Sequence, residues 1–314
     1  PLQPLRDDLD ISIYEQFEQD FIKYNQYEKA IELSILDLIA TNKFNSTAIK
    51  IIIIGPGKGG ILHKLINVVN KFSHQTFKIY AFEKNIKCIP YLHKYNQQNW
   101  NNQLEIIQDD IRNQNITNVN LIISELLGSF GDNELCPEIL QQFNKPQTYP
   151  MIMIPSSYTS YLQPVSTDLT IPEFERPYIV KLTKYISLSP FKPVFDWDYP
   201  DPSLSSLDKV TTALNFKVEN GLLDVVTITG FYGYFTADLY GHLTIQIIND
   251  EDRDTYCKSW YPFYFPIDPE DIDNGTSVEF NICRINNGVD KVWYEWEFND
   301  KVYNKNGNHY YIEF

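Results

Sequence analysis

The stretch Asn120-Leu121-Ile122-Ile123-Ser124-Glu125-Leu126-Leu127-Gly128-Ser129-Phe130-Gly131-Asp132-Asn133-Glu134 decides how this chain is read. Its apolar opening, Asn120 to Ile123, has the texture of a buried strand, so the spacing predicts a strand that ends at Glu125. Open α/β sheets bind ligands just outside the carboxyl ends of their strands, which puts Glu125 where chemistry is expected. Glu134 follows nine positions later, across a turn punctuated by Gly128 and Gly131. Two carboxylates brought back towards each other in this way can form an anionic clamp.

Upstream, Ala48 to Ile54 is β-branched and runs into Gly55-Pro56-Gly57-Lys58-Gly59-Gly60, after which Ile61, Leu62, Leu65, Ile66 and Val69 show helical spacing. Phe77 to Phe82 ends at Glu83, Ile89 to Gln97 reads as a helix, and Leu104 to Ile107 reads as a strand ending at Asp109-Asp110. Before all of these, Tyr14, Phe17, Phe21 and Tyr24 recur at three- and four-residue steps. Ala30, Ile31, Ser34, Ile35 and Leu38 continue the stripe, so two helices precede the first strand. Alternating β and α elements predict a mostly parallel, doubly wound sheet. Past Pro155 the period changes to two in Tyr178 to Leu182, Leu223 to Phe231, Leu243 to Ile248, Val278 to Ile282 and Val292 to Phe298, which read as antiparallel strands. Pro190 to Pro202 reads as a loop crossing the surface. The expected architecture is α/β plus all-β, with residues 1–154 forming one domain and 155–314 the other.

Composition sets outer limits. At 314 residues, 43% of them hydrophobic and 15% aromatic, the chain can bury a sizeable core. Its longest aliphatic block, Ile49 to Ile54 interrupted by Lys50, falls far short of the roughly 20 apolar residues of a membrane helix, so no membrane partner is expected. The opening Pro1-Leu2-Gln3-Pro4 lacks a signal-type core, and a targeting segment is expected to be absent or removed. Cys88, Cys136, Cys257 and Cys283 are scattered without Cys-x-x-Cys spacing, which argues against a zinc site or a disulfide framework and for a reducing cytoplasmic or nuclear setting. His63, His74, His93, His242 and His309 show no ligand spacing, and no metal is expected. A net charge of -15 with no basic run to offset it opposes direct nucleic-acid binding and favours a cationic substrate.

The glycine loop lets backbone approach a ligand closely at a helix N-terminus, and its letters also satisfy Gly-x-Gly-x-x-Gly through Gly60, so a nicotinamide dehydrogenase stays open at this point. Glu83 fits either reading, because a carboxylate ending the second strand can hold ribose hydroxyls in NAD or in S-adenosylmethionine. Asp110 favours the latter, being placed to accept from an adenine amino group with Ile111 against the ring.

With the glycine loop, Glu83, Asp109-Asp110 and the two-glutamate loop in this order, the chain resembles the protein arginine methyltransferase family, and within it the branch that dimethylates arginine symmetrically. The resembling stretches are Pro1 to Leu5, Tyr14 to Tyr27, Ser124 to Glu134, Pro155 to Leu162, Trp260 to Ile267 and Lys291 to Trp296. The resemblance implies a Rossmann-like methyl-donor domain followed by a β-barrel, with the arginine site between them. It implies that Tyr14, Lys23, Tyr24, Gly55, Gly57, Glu83, Asp110 and Ile111 bind S-adenosylmethionine, that Glu125 and Glu134 grip the substrate guanidinium, and that Leu126 and Trp260 line the substrate slot. It also implies that Phe17 favours one methyl on each terminal nitrogen, and that the substrates are Arg/Gly-rich or histone-like protein segments. Ser259 could donate a hydrogen bond into the slot. Family members normally carry an N-terminal TIM-barrel domain that docks a WD-repeat partner and helps form homo-oligomers, which these residues do not encode. Ser166 to Pro177 looks shorter than the corresponding segment, which contributes to dimer contacts, and Pro56 and Lys58 replace a small residue and an arginine. A catalytically silent scaffold is the rival reading, but a scaffold has no need for two facing carboxylates. The dehydrogenase reading leaves Glu134, Trp260 and the second domain unexplained.

Overall fold

The computed structural model describes residues 3–41, 48–145, 150–204, 206–219, 221 and 223–313; Pro1 and Leu2 of the first resembling stretch lie outside the described residues. Helix α1 (Ile11–Phe17) starts at Asp10, whose carboxylate accepts the Ser12 N–H. The aromatic stripe then crosses a break at Glu18-Gln19-Asp20 into α2 (Phe21–Thr41), where Asp20 accepts the Lys23 N–H as an N-terminal cap. The expected pair of helices is therefore present. Next come β1 (Ala48–Ile54), α3 (Gly60–Val69), β2 (Thr76–Phe82), α4 (Ile89–Gln98), β3 (Leu104–Ile107), β4 (Leu121–Ser124), α5 (Cys136–Leu140) and β5 (Ile152–Ile154). The five strands pair in the order β3-β2-β1-β4-β5, parallel at every step. Ile49, Ile51, Ile52, Ile53, Leu121, Ile122 and Ile123 are buried, as expected for a parallel sheet covered on both faces. The order reverses between β1 and β4, so the crevice of this sheet opens past Ile54 and Ser124. The glycine loop and Glu125 emerge there.

From β6 onwards the strands are antiparallel, and the observed fold class matches the expected one. They are β6 (Ser157–Thr167), β7 (Tyr178–Ile179), β8 (Tyr185–Ser187), β9 (Lys192–Asp198), β10 (Lys209–Lys217), β11 (Val225–Tyr240), β12 (Leu243–Gln246), β13 (Phe263–Asp273), β14 (Ser277–Asn286), β15 (Lys291–Phe298), β16 (Lys301–Tyr303) and β17 (Ile312–Glu313). One sheet runs β7-β13-β11-β6-β8, with β9 on β6 and β12 on β11. The other runs β10-β14-β15-β16, with β17 on β15. The two pack face to face, barrel fashion, through aromatic rings, among them Phe231 stacked on Phe280 at 3.8 Å between centroids.

Two expectations are corrected. Pro190 to Pro202 is not a surface loop, because Lys192–Asp198 forms β9 against β6 and buries Val194, Phe195 and Trp197. A bulge opposite Ser160 and Tyr161 absorbs Pro193, which removes a ladder donor and breaks the alternation that would have marked a strand. Tyr178 to Leu182 is paired only over Tyr178–Ile179; beyond it, the Leu182 N–H donates to the Tyr232 hydroxyl at 2.8 Å. Among the described residues, no helix is long and apolar enough to cross a membrane.

The loop between β4 and α5 joins the two halves. Its Phe130 is fully buried and packs in the aromatic core of the second half, 5.2 Å from Phe265 and 5.9 Å from Phe263 between ring centroids. The Phe130 carbonyl accepts the Ser160 hydroxyl at 2.6 Å. The carboxylates on either side of Phe130 are thereby held from both halves.

Candidate active site

A cleft of about 820 Å³ lies past the carboxyl ends of β1, β2 and β4 and is walled by α1, the start of α2 and the loop around Trp260. All fourteen residues singled out in the sequence line it: Tyr14, Phe17, Lys23, Tyr24, Gly55, Gly57, Glu83, Asp110, Ile111, Glu125, Leu126, Glu134, Ser259 and Trp260.

One end is built on the glycine loop. Gly57 has φ +55°, and a Cβ there would sit 2.6 Å from the Tyr14 ring, so only glycine lets the ring lie on the loop. The Gly57 N–H donates to Glu83 Oε2 at 2.8 Å and the Asn85 N–H donates to Glu83 Oε1 at 2.7 Å. Burial nevertheless holds the Glu83 carboxyl above its ordinary range, against the pull of those donors. Asn85 also donates its side-chain amide to the Tyr14 hydroxyl at 3.2 Å, which ties α1 to the end of β2. Asp110 caps a short 3-10 turn and takes a two-pronged ion pair from Arg112, with Nη2 at 2.7 Å from Oδ2. Burial opposes its charge, but the Arg112 fork and backbone N–H hold its carboxyl below the ordinary range.

The other end is a slot for a cation. The Lys23 ammonium, only 2% exposed, pairs with Glu125 and lies 4.7 Å from the Trp260 ring centroid, 4.9 Å from that of Tyr24 and 5.8 Å from that of Phe17. The Tyr24 hydroxyl donates to the same Glu125 oxygen at 3.0 Å, and burial, reinforced by the proximity of that carboxylate, raises the phenol well above its ordinary pKa. Glu134 reaches the slot from across the loop. Its desolvation is the largest effect on it, Glu125 adds repulsion and Lys23 pulls the other way, and the carboxyl is pushed up to about 8. Trp260 is fixed by its Nε1–H, which donates to the Leu127 carbonyl at 2.8 Å. Ser259 does not donate into the slot, because its hydroxyl and N–H both go to Asp20 Oδ2, at 2.9 and 2.8 Å.

The sequence reading therefore named the residues of one cleft, with Lys23 turned to the carboxylate side of it. It missed those that hold them: Asn85 behind Glu83, Asp20 behind Ser259, and Arg284, which binds Asp132 and Glu138 on either side of Glu134. Arg284 did leave a signal. It occupies the inward phase of a strand whose other inward residues are Val278, Phe280 and Ile282, all buried.

A parallel sheet with its glycine loop at the switch point, followed by antiparallel sheets and joined by a two-carboxylate loop, is the architecture of the protein arginine methyltransferases. The structure of the Trypanosoma brucei PRMT1 enzyme-prozyme heterotetrameric complex with AdoHcy superposes with a TM-score of 0.70 over 97% of this chain and 98% of that one, and at 13% identity it shows the fold alone. Family models place the chain more narrowly, with residues 1–154 matching the PRMT5 arginine-N-methyltransferase and residues 155–313 the PRMT5 oligomerisation domain. The chain belongs to the protein arginine N-methyltransferase 5 family. It is 34% identical to protein arginine N-methyltransferase 5 of Oryza sativa subsp. indica over 99% of this chain and 50% of that protein, and 33% identical to the Xenopus laevis protein of the same name over 99% and 51%. The chain thus spans about half the length of the curated relatives it matches.

Proposed function

We propose that this chain is the catalytic half of an S-adenosylmethionine-dependent protein arginine N-methyltransferase, making monomethyl- and symmetric dimethylarginine in Arg/Gly-rich or histone-like segments. The observation that carries this reading is the buried slot in which a cation is boxed by Glu125 and three aromatic rings, with Glu134 near enough to respond to its charge. Such a slot suits a guanidinium.

The glycine-loop end fits S-adenosylmethionine. Gly57 keeps the backbone free of a Cβ where Tyr14 packs, and Glu83 is a buried carboxylate held in place by two N–H donors at the strand end, suited to ribose hydroxyls. The donor supplies a methyl group on a positively charged sulfonium. A guanidinium has a pKa above about 12 and arrives charged, and two unit charges roughly 4 Å apart repel by about 4 kcal/mol at an effective dielectric near 20. Glu125 and Glu134 offset that repulsion. They hold the guanidinium by charge-assisted hydrogen bonds and draw positive charge from the attacking nitrogen, which leaves it a lone pair. Glu134, with its carboxyl near 8, is matched to take the proton released. Phe17 and Trp260 fix the guanidinium plane and decide which terminal nitrogen faces the donor.

The oligomerisation-domain match over residues 155–313 supports self-association. A WD-repeat partner would dock through the part of the longer relatives that lies outside this sequence. The scattered cysteines support a cytoplasmic and nuclear setting.

Transfer of radiolabelled methyl from S-adenosylmethionine to an Arg/Gly-rich peptide tests the reading, with a Lys-for-Arg peptide as control. Label is expected in the arginine peptide alone. Removing one partner of a buried charge pair costs about 2–5 kcal/mol, so Glu125→Gln is expected to lower turnover by at least about tens of fold while S-adenosylhomocysteine still binds. Near wild-type turnover in that variant would remove Glu125 from its role.

A further inference from the structure

We propose that Arg284, on β14, is a positioning residue for Glu134, a role that rests on the reading of Glu134 as a substrate-gripping carboxylate. Arg284 is fully buried, and both carboxylates it binds lie in the segment that carries Glu134. Its Nη1 and Nη2 grip Glu138 at 2.7 and 2.8 Å, its Nε lies 2.6 Å from Asp132 Oδ2, and Nη2 reaches the Asp132 carbonyl at 3.4 Å. One planar guanidinium therefore holds the chain two residues before Glu134 and four residues after it. The same strands supply the remaining partners: the Tyr294 hydroxyl on β15 donates to Asp132 Oδ1 at 2.6 Å and Asn286 on β14 donates to Glu138 Oε1 at 3.1 Å. The Trp197 ring of β9 covers the guanidinium at 5.4 Å.

The segment needs such holding. Leu135, directly after Glu134, has φ +65°, a left-handed conformation that a γ-branched side chain seldom adopts, and it is bracketed by the two gripped residues. The Nε–Asp132 approach is close in distance without the alignment of a hydrogen bond, so the charge contact carries that arm while the aligned fork is spent on Glu138. A buried ion pair is in general a weak source of net stability and a strong geometric constraint when its fork is satisfied. Here the constraint runs from the barrel-type half into the loop of the other half, and it sets how far Glu134 stands from Trp260 and Phe17.

Two variants of the full chain test this. Arg284→Lys keeps the charge and loses the fork; the triple variant Arg284→Met, Asp132→Asn, Glu138→Gln removes the buried charges together and guards against simple misfolding. Each is measured for thermal midpoint, S-adenosylhomocysteine affinity, kcat on an Arg/Gly-rich peptide, and amide hydrogen exchange. We expect both variants to bind S-adenosylhomocysteine within about twofold of wild type, to lose about tenfold or more in kcat, and to exchange faster at residues 128–136 with the amides of β1 unchanged. Wild-type kcat in the triple variant, or faster exchange with kcat unchanged, would overturn the positioning role, as would uniform acceleration across β1 and β11. If the wild-type chain transfers no methyl group, the functional reading fails, and the exchange measurement alone decides whether Arg284 holds the segment.

Discussion

At the scale of single residues, the site is a balance of charges in a small buried space. Glu125 pairs directly with the Lys23 ammonium and the Tyr24 phenol, whereas Glu134 feels Lys23 only at a distance, so desolvation and a like-charged neighbour prevail and its carboxyl stands at about 8 instead of 4.5. The folded chain keeps a proton on Glu134 that the unfolded chain releases, so this group favours folding fully below about pH 4.5 and loses that contribution as pH rises through about 8. Activity runs the other way if Glu134 is the base: kcat/KM should rise with pH through a limb near 8. Lys23 lowers that limb, so Lys23→Met should move it to higher pH in a profile of kcat/KM. A limb that stays in place or moves down would separate Lys23 from Glu134. Glu125 and Glu134 were legible in the sequence because nine residues and two glycines fold back on themselves. Asp20 and Asn85 were not, since a short polar side chain that holds a neighbour looks in sequence like any turn residue.

At the scale of elements, the glycine loop is where conformation and ligand space meet. Gly57 combines φ +55° with the Tyr14 ring lying where a Cβ would be, so Gly57→Ala must shift either the loop or α1. S-adenosylhomocysteine affinity, measured by calorimetry, should fall at least about tenfold with little change in kcat for molecules that bind; unchanged affinity would exclude the loop from the donor site. Four of the five parallel strands were legible nearly to the residue, because each is a short apolar run that ends close to a glycine or an acid at the cleft edge; β5, the three residues before Pro155, was too short to stand out. β9 was not, because Pro193 sits in a bulge and its neighbours Pro190 and Pro200 imitate a loop; only the partner strand β6 shows that Val194, Phe195 and Trp197 have a core to enter. Arg284 falls between these cases. Its inward phase on β14 was readable from the alternation, but its partners lie 146 and 152 residues away and no local pattern points to them.

At the scale of the whole molecule, a net charge of -15 surrounds a slot built for a cation, and Glu18, at the end of α1, lines the cleft beside Lys58, which also pairs with the exposed Glu15. A field of this sign gathers basic segments and weakens with salt over a Debye length of about 8 Å at physiological ionic strength. KM for an Arg/Gly-rich peptide should therefore rise severalfold between about 50 and 300 mM salt while kcat stays nearly level; a salt-independent KM would confine recognition to the slot. The two-part architecture was legible from the change in hydrophobic period at Pro155. How the two parts are tied through Phe130 and Arg284 was not, because that depends on side chains meeting across long separations in the chain.

The central proposal is that this cleft places one methyl group on each terminal nitrogen of an arginine. Fragmentation mass spectrometry of an Arg/Gly-rich peptide, after incubation with S-adenosylmethionine and either the wild-type chain or Phe17→Met, tests it most directly. The account predicts symmetric dimethylarginine from the wild type and the appearance of asymmetric product from the variant. Asymmetric dimethylarginine from the wild type, or methylation of residues other than arginine, would contradict it.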